Sequence, residues 1–246
     1  MISPKIDIII PTFKSKDITL LALKSFLKFN DYFNFKYIVV ENSNDESYKN
    51  DVLSLSDDIT WIQNPISEVG SFANANGLHK GLDSSSGDFV FLCHNDVMAV
   101  NNDWMKFLFD KIDKGGYSVV GFRRDPGRIN AIHASGILAE RKLSKSLSLY
   151  PVGNGSYMDV TDSLTKYCVD NGLNHYSCRN TFNNTILESD LKYPFGDLQN
   201  IDRAVSDDGV VLYLHMGRGT PKTHKTYQKP NRIGVKEWIE LGGSLL

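Results

Sequence analysis

The sequence predicts an α/β fold: a mixed, mostly parallel sheet flanked by helices on both faces and built as a single domain. Three observations lead there. Short apolar, β-branched runs alternate with stretches of helical spacing, the pattern left by parallel sheets buried on both faces. Three of those runs end in polar clusters, Thr12, Glu41-Asn42 and His94-Asn95-Asp96, at the sheet edge where ligands of such folds bind. The chain has 246 residues, 41% hydrophobic and 23% charged, enough to bury a sizeable core without staples.

The elements follow in order. Ile6 to Ile10 reads as a buried strand closed by Pro11. Asp17 to Phe29 carries leucine and phenylalanine at helical spacing, with Asp17 as the candidate N-cap. Tyr37 to Val40 is a second strand, residues 46–55 a short helix, Ile59 to Ile62 a third strand, and Gly70 to Leu82 a helix. Phe89 to Cys93 is a fourth strand, followed by a helix over Asp103 to Ile112 and a strand over Ser118 to Phe122. The second half is less regular. Ile129 to Glu140 reads as a hairpin over the sheet, and the Ser- and Gly-rich stretch Leu143 to Ser156 as a mobile loop. Val160 to Asn171 and Leu198 to Ser206 read as helices, and Val210 to Leu214 as a strand that delivers His215.

Composition narrows the function classes. A formal net charge of −2 gives no general attraction to nucleic acid or anionic membrane. No run of about 18 apolar residues occurs, so no membrane span is expected. Met1 to Lys5 leads straight into a strand with no apolar leader core. Cys93, Cys168 and Cys178 are three, with no CxxC spacing. They read as reduced thiols, and a cytoplasmic protein without a zinc site is expected.

Four stretches carry a resemblance: Asp7 to Phe13 (DIIIPTF), Val39 to Ser43 (VVENS), Gly70 to Gly77 (GSFANANG) and Phe89 to Asp96 (FVFLCHND). In this order and spacing they resemble the nucleotide-binding half of GT-A fold glycosyltransferases, particularly family 2. The resemblance covers the first half of the chain well and the rest loosely. It implies one GT-A (Rossmann-like) domain over residues 1–246, with a nucleotide-sugar-binding half at 1–125. Residues 126–246 then form an acceptor-binding half with a C-terminal basic flap. It implies transfer of a sugar from a nucleotide diphosphate donor, most commonly a UDP-sugar, to a glycan or other hydroxyl acceptor. It also implies Mn²⁺ or Mg²⁺ and inversion at the anomeric carbon.

In that family one strand ends in an Asp-x-Asp motif whose last Asp binds the metal. Here the motif reads His94-Asn95-Asp96, with His in place of the first carboxylate. Asp96 still offers one hard-cation ligand, since such ions keep waters and substrate phosphates as the others; the plainer role is a helix cap. His94 is either an imidazole ligand favouring Mn²⁺ or a ribose contact. The terminal segment Leu212 to Thr220 (LYLHMGRGT) resembles the family's His-containing segment, which assigns His215 to the metal and Arg218 to the diphosphate. Arg218 can bind phosphate oxygens bidentately, and Gly217 and Gly219 let the backbone approach a ligand.

Glu41 matches the acidic position that meets the nucleotide base or ribose, where a carboxylate accepts from uracil N–H or sugar hydroxyls; alternatively it caps the next helix. Pro11 and Thr12 line the same pocket, Asn95 sits in the metal turn, and Asn74 or Asn76 lies alongside unless they only start a helix. From His215 to Lys236 come Arg218, Lys222, Lys225, Lys229, Arg232 and Lys236 with no acidic residue. This stretch reads as a flap over a diphosphate, a solvated tail, or a nucleic-acid contact.

The catalytic base implied by the resemblance falls in Met158 to Leu164 (MDVTDSL). Asp159 is the first choice, Asp162 the second, and Asp197 a rival; helix N-capping is the plain alternative for each. His133 lies either over the acceptor or as an ordinary polar residue of a hairpin. Rival functions are a nucleotidyltransferase, disfavoured because no Gly-rich loop follows the first strand, and a non-catalytic sugar-nucleotide or glycan-binding module. A modified DNA base is an alternative acceptor motivated only by the basic stretch.

Overall fold

The computed structural model describes residues 4–127, 129–181, 201–225 and 233–246. β1 (Lys5–Thr12) pairs in parallel with β2 (Asn34–Glu41), β2 pairs in parallel with β3 (Ile59–Gln63), and on its other side β1 pairs in parallel with β4 (Phe89–Leu92). Helices α1 (Lys16–Lys28), α2 (Lys49–Leu53) and α3 (Gly70–Ser84) make the crossovers. The β-branched residues of β1 favour the extended chain and alternate between two cores. Ile6, Ile8 and Ile10 join Phe26, Tyr37, Phe91 and Trp104 on one face. Ile9 joins Ile38, Val40, Leu78 and Leu92 on the other. Asp7 is buried on that second face, and the Ser86 and Gly87 N–H groups donate to its Oδ2 at 2.6 and 2.8 Å, which offsets its desolvation.

Beyond β4 the direction changes. β5 (Val97–Ala99) leaves the main sheet, and α4 (Trp104–Asp113) packs its Trp104 into the first core. β6 (Val119–Gly121) and β7 (Ile137–Glu140) run antiparallel to each other, β7 runs antiparallel to β4, and β8 (His175–Ser177) pairs in parallel with β6. Among the described residues the main sheet has the order β3-β2-β1-β4-β7-β6-β8. α5 (Arg141–Ser146) and α6 (Asp162–Asp170) lie on the α3 face, where Leu143 and Leu164 enter the second core.

A second, antiparallel sheet has the order β5-β11-β10-β9, with β9 at Arg179–Asn180, β10 at Asp202–Val205 and β11 at Val211–His215. After it come α7 (Gly219–Thr223) and α8 (Val235–Leu245). A third core ties this sheet to α1 and α8 through Ile18, Leu21, Met98, Leu214, Met216 and Trp238. Residues from both ends of the chain therefore share one apolar interior. No helix among the described residues is long and apolar enough to cross a membrane.

Several expected elements differ. The segment 198–206 was expected to be helical, but its described part contains β10 at Asp202–Val205. The apolar residues Ile201, Ala204 and Val205 suit a helical spacing, and pairing with β11 decides for a strand. The expected loop over 143–156 begins inside α5. The N-cap position of α1 is Ser15, with Asp17 in the first turn, where its charge complements the helix dipole. The helix expected over 46–55 is shorter, at Lys49–Leu53. The hairpin expected within 129–140 pairs back onto earlier residues: Ile132 bridges Arg124, and β7 pairs with β6.

Candidate active site

β4 ends at Leu92, and the chain turns through Cys93, His94, Asn95 and Asp96 before β5 begins. In the β5–β11 ladder Val97 lies opposite His215, so the register brings the residue before Val97 to the end of β11. Asp96 Oδ1 consequently stands 3.5 Å from His215 Nε2. His94 Nδ1 is 3.7 Å from the same oxygen. The ligand atoms of His94, Asp96 and His215 all lie within 4.8 Å of one another. The other oxygen, Asp96 Oδ2, accepts the Gly219 N–H at 2.7 Å. Glycine is needed for that approach, because a Cβ at position 219 would lie 2.3 Å from Asp96 Cβ.

The outer side of each imidazole is also held. His215 Nδ1 is 3.3 Å from Asp202 Oδ2 and 3.1 Å from Arg123 Nη1, and Arg123 donates to the same Asp202 oxygen at 3.1 Å. His94 Nε2 is 2.9 Å from Asn74 Nδ2. His215 Nε2 is buried and makes no hydrogen bond of good geometry among the described residues. Two imidazole nitrogens and a carboxylate oxygen face one point, one of them a buried nitrogen lacking such a bond, and this donor set fits a divalent cation.

Burial opposes charge on all three groups, and pairing overcomes it at two. At Asp96 burial acts upward, but His215, His94 and the Gly219 N–H outweigh it and hold the carboxyl well below the usual carboxylate range. At His215 burial acts downward, but Asp96 and Asp202 outweigh it and hold the imidazole above the ordinary histidine value. At His94 burial wins; with the positive charge of His215 and Arg123 beside it, the imidazole is pushed down to about 4.

The residues expected on the nucleotide side gather at the same edge of the sheet. Glu41 is fully buried and accepts the Tyr48 hydroxyl, and the Lys14 N–H lies 3.2 Å from each of its oxygens. The Tyr48 hydroxyl is 3.2 Å from Thr12 Oγ1, which is 2.9 Å from Thr19 Oγ1. Asn95 Nδ2 donates to both threonine hydroxyls at 3.2 and 3.1 Å. A buried polar chain thus runs from Glu41 to the turn that carries Asp96. Pro11 lies under Gly77, where a Cβ would come 2.9 Å from Pro11 Cβ and from Asn42 Nδ2. Asn64 Nδ2 donates to Asn42 Oδ1 at 2.8 Å and to Asn76 Oδ1 at 3.0 Å.

Arg218 is exposed at the start of α7 with a left-handed φ of 57°. Lys222 is less a flap cation than a tie: its Nζ donates to the Met216 and Ile233 carbonyls at 3.2 and 2.7 Å. Lys225 is exposed, Lys236 is 3.7 Å from Glu240, and Lys229 and Arg232 lie outside the described residues.

On the other side of the site, the His133 ring lies 5.4 Å from the His94 ring and 5.8 Å from the His215 ring. Asp159 is half-buried just before α6; its Oδ1 accepts the Val160 N–H at 2.8 Å, and its charge reaches His94. Asp162 is buried at the first residue of α6 and accepts the Asp159 N–H at 2.7 Å, a local side-chain-to-backbone turn ahead of the helix. Asp197 lies outside the described residues.

Four contributors were not singled out from the sequence. Tyr48 holds Glu41, Asn64 joins the ends of β2 and α3, and Arg123 and Asp202 hold the outer nitrogen of His215. A carboxylate in the strand before a terminal His is a weak signal, and the misread strand hid it.

Three comparisons with known proteins bear on this arrangement. The model of glycosyl transferase family 2 matches residues 7–148. Among solved structures, a mannosyltransferase from Pyrobaculum calidifontis in complex with GDP-Man and Mn²⁺ superposes with a TM-score of 0.58 at 14% identity, covering 71% of this chain and 55% of that one. Glucosyl-3-phosphoglycerate synthase from Mycobacterium tuberculosis, in complex with Mn²⁺, UDP and glucosyl-3-phosphoglycerate, superposes with a TM-score of 0.52 at 16% identity, covering 71% and 70%. This chain thus spans about half the length of the mannosyltransferase. No curated protein matches the sequence.

Proposed function

Since the chain belongs to glycosyl transferase family 2, we propose that it moves a glycosyl group from a nucleotide diphosphate sugar to an acceptor hydroxyl in a metal-dependent, inverting displacement. The observation that carries this reading is the convergence of His94 and Asp96, just past β4, with His215 at the end of β11. A divalent cation bound there would neutralise the departing diphosphate. Asp96 and His215 would hold that cation, and Arg218 at the start of α7 would meet the phosphate oxygens. Pro11, Thr12, Glu41 and Asn76 would frame the nucleoside, with Asn95 joining that pocket to the metal turn. Uridine is the first base to test, as UDP occupies the mycobacterial synthase.

Asp159 would act as base. The acceptor oxygen forms a bond to the anomeric carbon as the bond from that carbon to the diphosphate oxygen breaks, and the hydroxyl proton passes to the Asp159 carboxylate. Asp159 is preferred to Asp162 because Asp162 is buried against its own helix start. Residues 1–125 would then serve mainly the donor and 126–246 mainly the acceptor, with His215 and Arg218 of the second half reaching the metal and diphosphate through the pairing of β11 with β5.

The test is release of nucleoside diphosphate from a panel of UDP-, GDP- and dTDP-sugars with Mn²⁺, in wild type and Asp96→Ala. Release from one donor class that needs both Mn²⁺ and Asp96 supports the reading. Binding without release under any condition favours a non-catalytic sugar-nucleotide module.

A further inference from the structure

His94 stands where the family motif has its first carboxylate, and the structure gives it the surroundings of a ligand. Both imidazoles of the cluster are held from behind. His215 Nδ1 faces Asp202 Oδ2 at 3.3 Å, and His94 Nε2 faces the Asn74 amide at 2.9 Å. An amide can accept or donate by a half-turn. With its oxygen against Nε2–H, Asn74 fixes the tautomer in which His94 Nδ1 presents its lone pair toward Asp96. Metal-ligating histidines are held in this way by a partner on the far nitrogen. The front nitrogens, His94 Nδ1 and His215 Nε2, stand 3.7 and 3.5 Å from Asp96 Oδ1.

We propose that His94 is a third protein ligand and that the two-imidazole, one-carboxylate set makes this a transition-metal site that discriminates against Mg²⁺. The inference rests on the metal reading above and sharpens it. Mg²⁺ demands oxygen ligands in near-octahedral geometry and gives up water reluctantly. Nitrogen donors favour first-row transition ions, with affinity rising from Mn²⁺ through Co²⁺. A carboxylate at position 94 would weaken that preference, leaving His215 as the one imidazole; the second imidazole strengthens it. Asn74 is a positioning residue in this scheme, acting through the His94 ring.

The test uses the full chain stripped with chelator and the metal alone as probe. Co²⁺ is titrated by its visible absorption and then displaced with Mn²⁺ or Mg²⁺, for wild type, His94→Ala, His94→Asp and Asn74→Ala. Circular dichroism and thermal midpoints confirm that each variant is folded. The expected result is one Co²⁺ per chain, displaced by Mn²⁺ only in excess and retained against a hundredfold excess of Mg²⁺. His94→Ala weakens Co²⁺ at least tenfold, Asn74→Ala weakens it less, and His94→Asp cuts the Co²⁺-over-Mg²⁺ preference at least tenfold. Electron paramagnetic resonance of bound Mn²⁺ shows two imidazole nitrogens in wild type and one in His94→Ala. Displacement of Co²⁺ by equimolar Mg²⁺, or a folded His94→Ala with unchanged Co²⁺ affinity, overturns the proposal. Because no sugar nucleotide is present, a two-imidazole Co²⁺ site without transfer would sink the functional reading alone. Transfer that runs equally on Mg²⁺ would sink this inference alone.

Discussion

Glu41 at the end of β2 and Asp96 in the turn after β4 are both buried carboxylates beside strands that flank β1 on opposite sides, yet they differ in their partners. Both Glu41 oxygens are met by neutral donors, the Lys14 N–H at 3.2 Å and the Tyr48 hydroxyl. Asp96 gives Oδ2 to the Gly219 N–H at 2.7 Å and turns Oδ1 toward two imidazoles at 3.5 and 3.7 Å, beyond good hydrogen-bond distance. A carboxylate with both oxygens met by neutral donors is tied into the wall of its pocket. One that keeps an oxygen facing two imidazole nitrogens at 3.5 and 3.7 Å has the spacing the proposed cation site needs. The difference separates a carboxylate of the proposed nucleoside pocket from the proposed metal-ligand carboxylate, and substitutions can break or sharpen it.

The largest effect is expected at Asp96. Asp96→Ala should lower transfer by about 10³-fold or more, since a metal supplies several kcal/mol of transition-state stabilisation; initial rates with Mn²⁺ measure it. Asp159→Ala should cost about 10²-fold or more in kcat, with donor affinity by calorimetry unchanged. If Asp162→Ala instead removes activity while Asp159→Ala does not, the base is misassigned. Asp162→Ala is expected to cost mainly stability, about 1 kcal/mol for the lost hydrogen bond to the Asp159 N–H.

Glu41→Gln should move stability and not metal binding. One donated N–H or O–H then faces an amide donor, at about 1–3 kcal/mol for an unsatisfied buried group, read by urea unfolding. Weakened Mn²⁺ binding in this variant would erase the contrast between the two carboxylates. Gly219→Ala tests the other side, because its methyl collides with Asp96; about 1–3 kcal/mol of overpacking should come with loss of metal affinity.

The smallest effect is a pH dependence. His215 holds its proton above the ordinary histidine value, and a cation must displace it, so Mn²⁺ affinity should rise with pH beyond about 6.5. The cation-free chain should behave oppositely. The His215 contribution is complete below about 6.5 and fades as pH rises through its folded value, whereas the Asp96 contribution, from a depressed carboxyl, is present above about 3.9 and lost only on acidification. Thermal midpoints and Mn²⁺ titrations across neutral to mildly alkaline pH compare the two trends.

The two regions also differ in how far the sequence discloses them. β1, β2, β3 and β4 announce themselves because an apolar β-branched run ending in a polar cluster is a local pattern. That pattern, with the family resemblance, pointed to Asp96 and His215, and the β5–β11 register brings them together. β5 itself was missed, since three residues show no period. Arg123 and Asp202 stayed hidden for a different reason. Arg123 reaches His215 across 92 positions of chain, and Asp202 sits in a segment whose apolar spacing serves helix and strand alike. Tertiary pairing decides such segments, and a single sequence does not contain it.

The central claim is that His94, Asp96 and His215 hold a cation on which the nucleotide diphosphate depends. Calorimetric titration of UDP and GDP into wild type and Asp96→Ala, each with and without Mn²⁺, tests it most directly. One diphosphate should bind wild type with Mn²⁺ and bind at least tenfold more weakly when either Mn²⁺ or the Asp96 carboxylate is removed. Equal affinity in all four conditions would contradict the account.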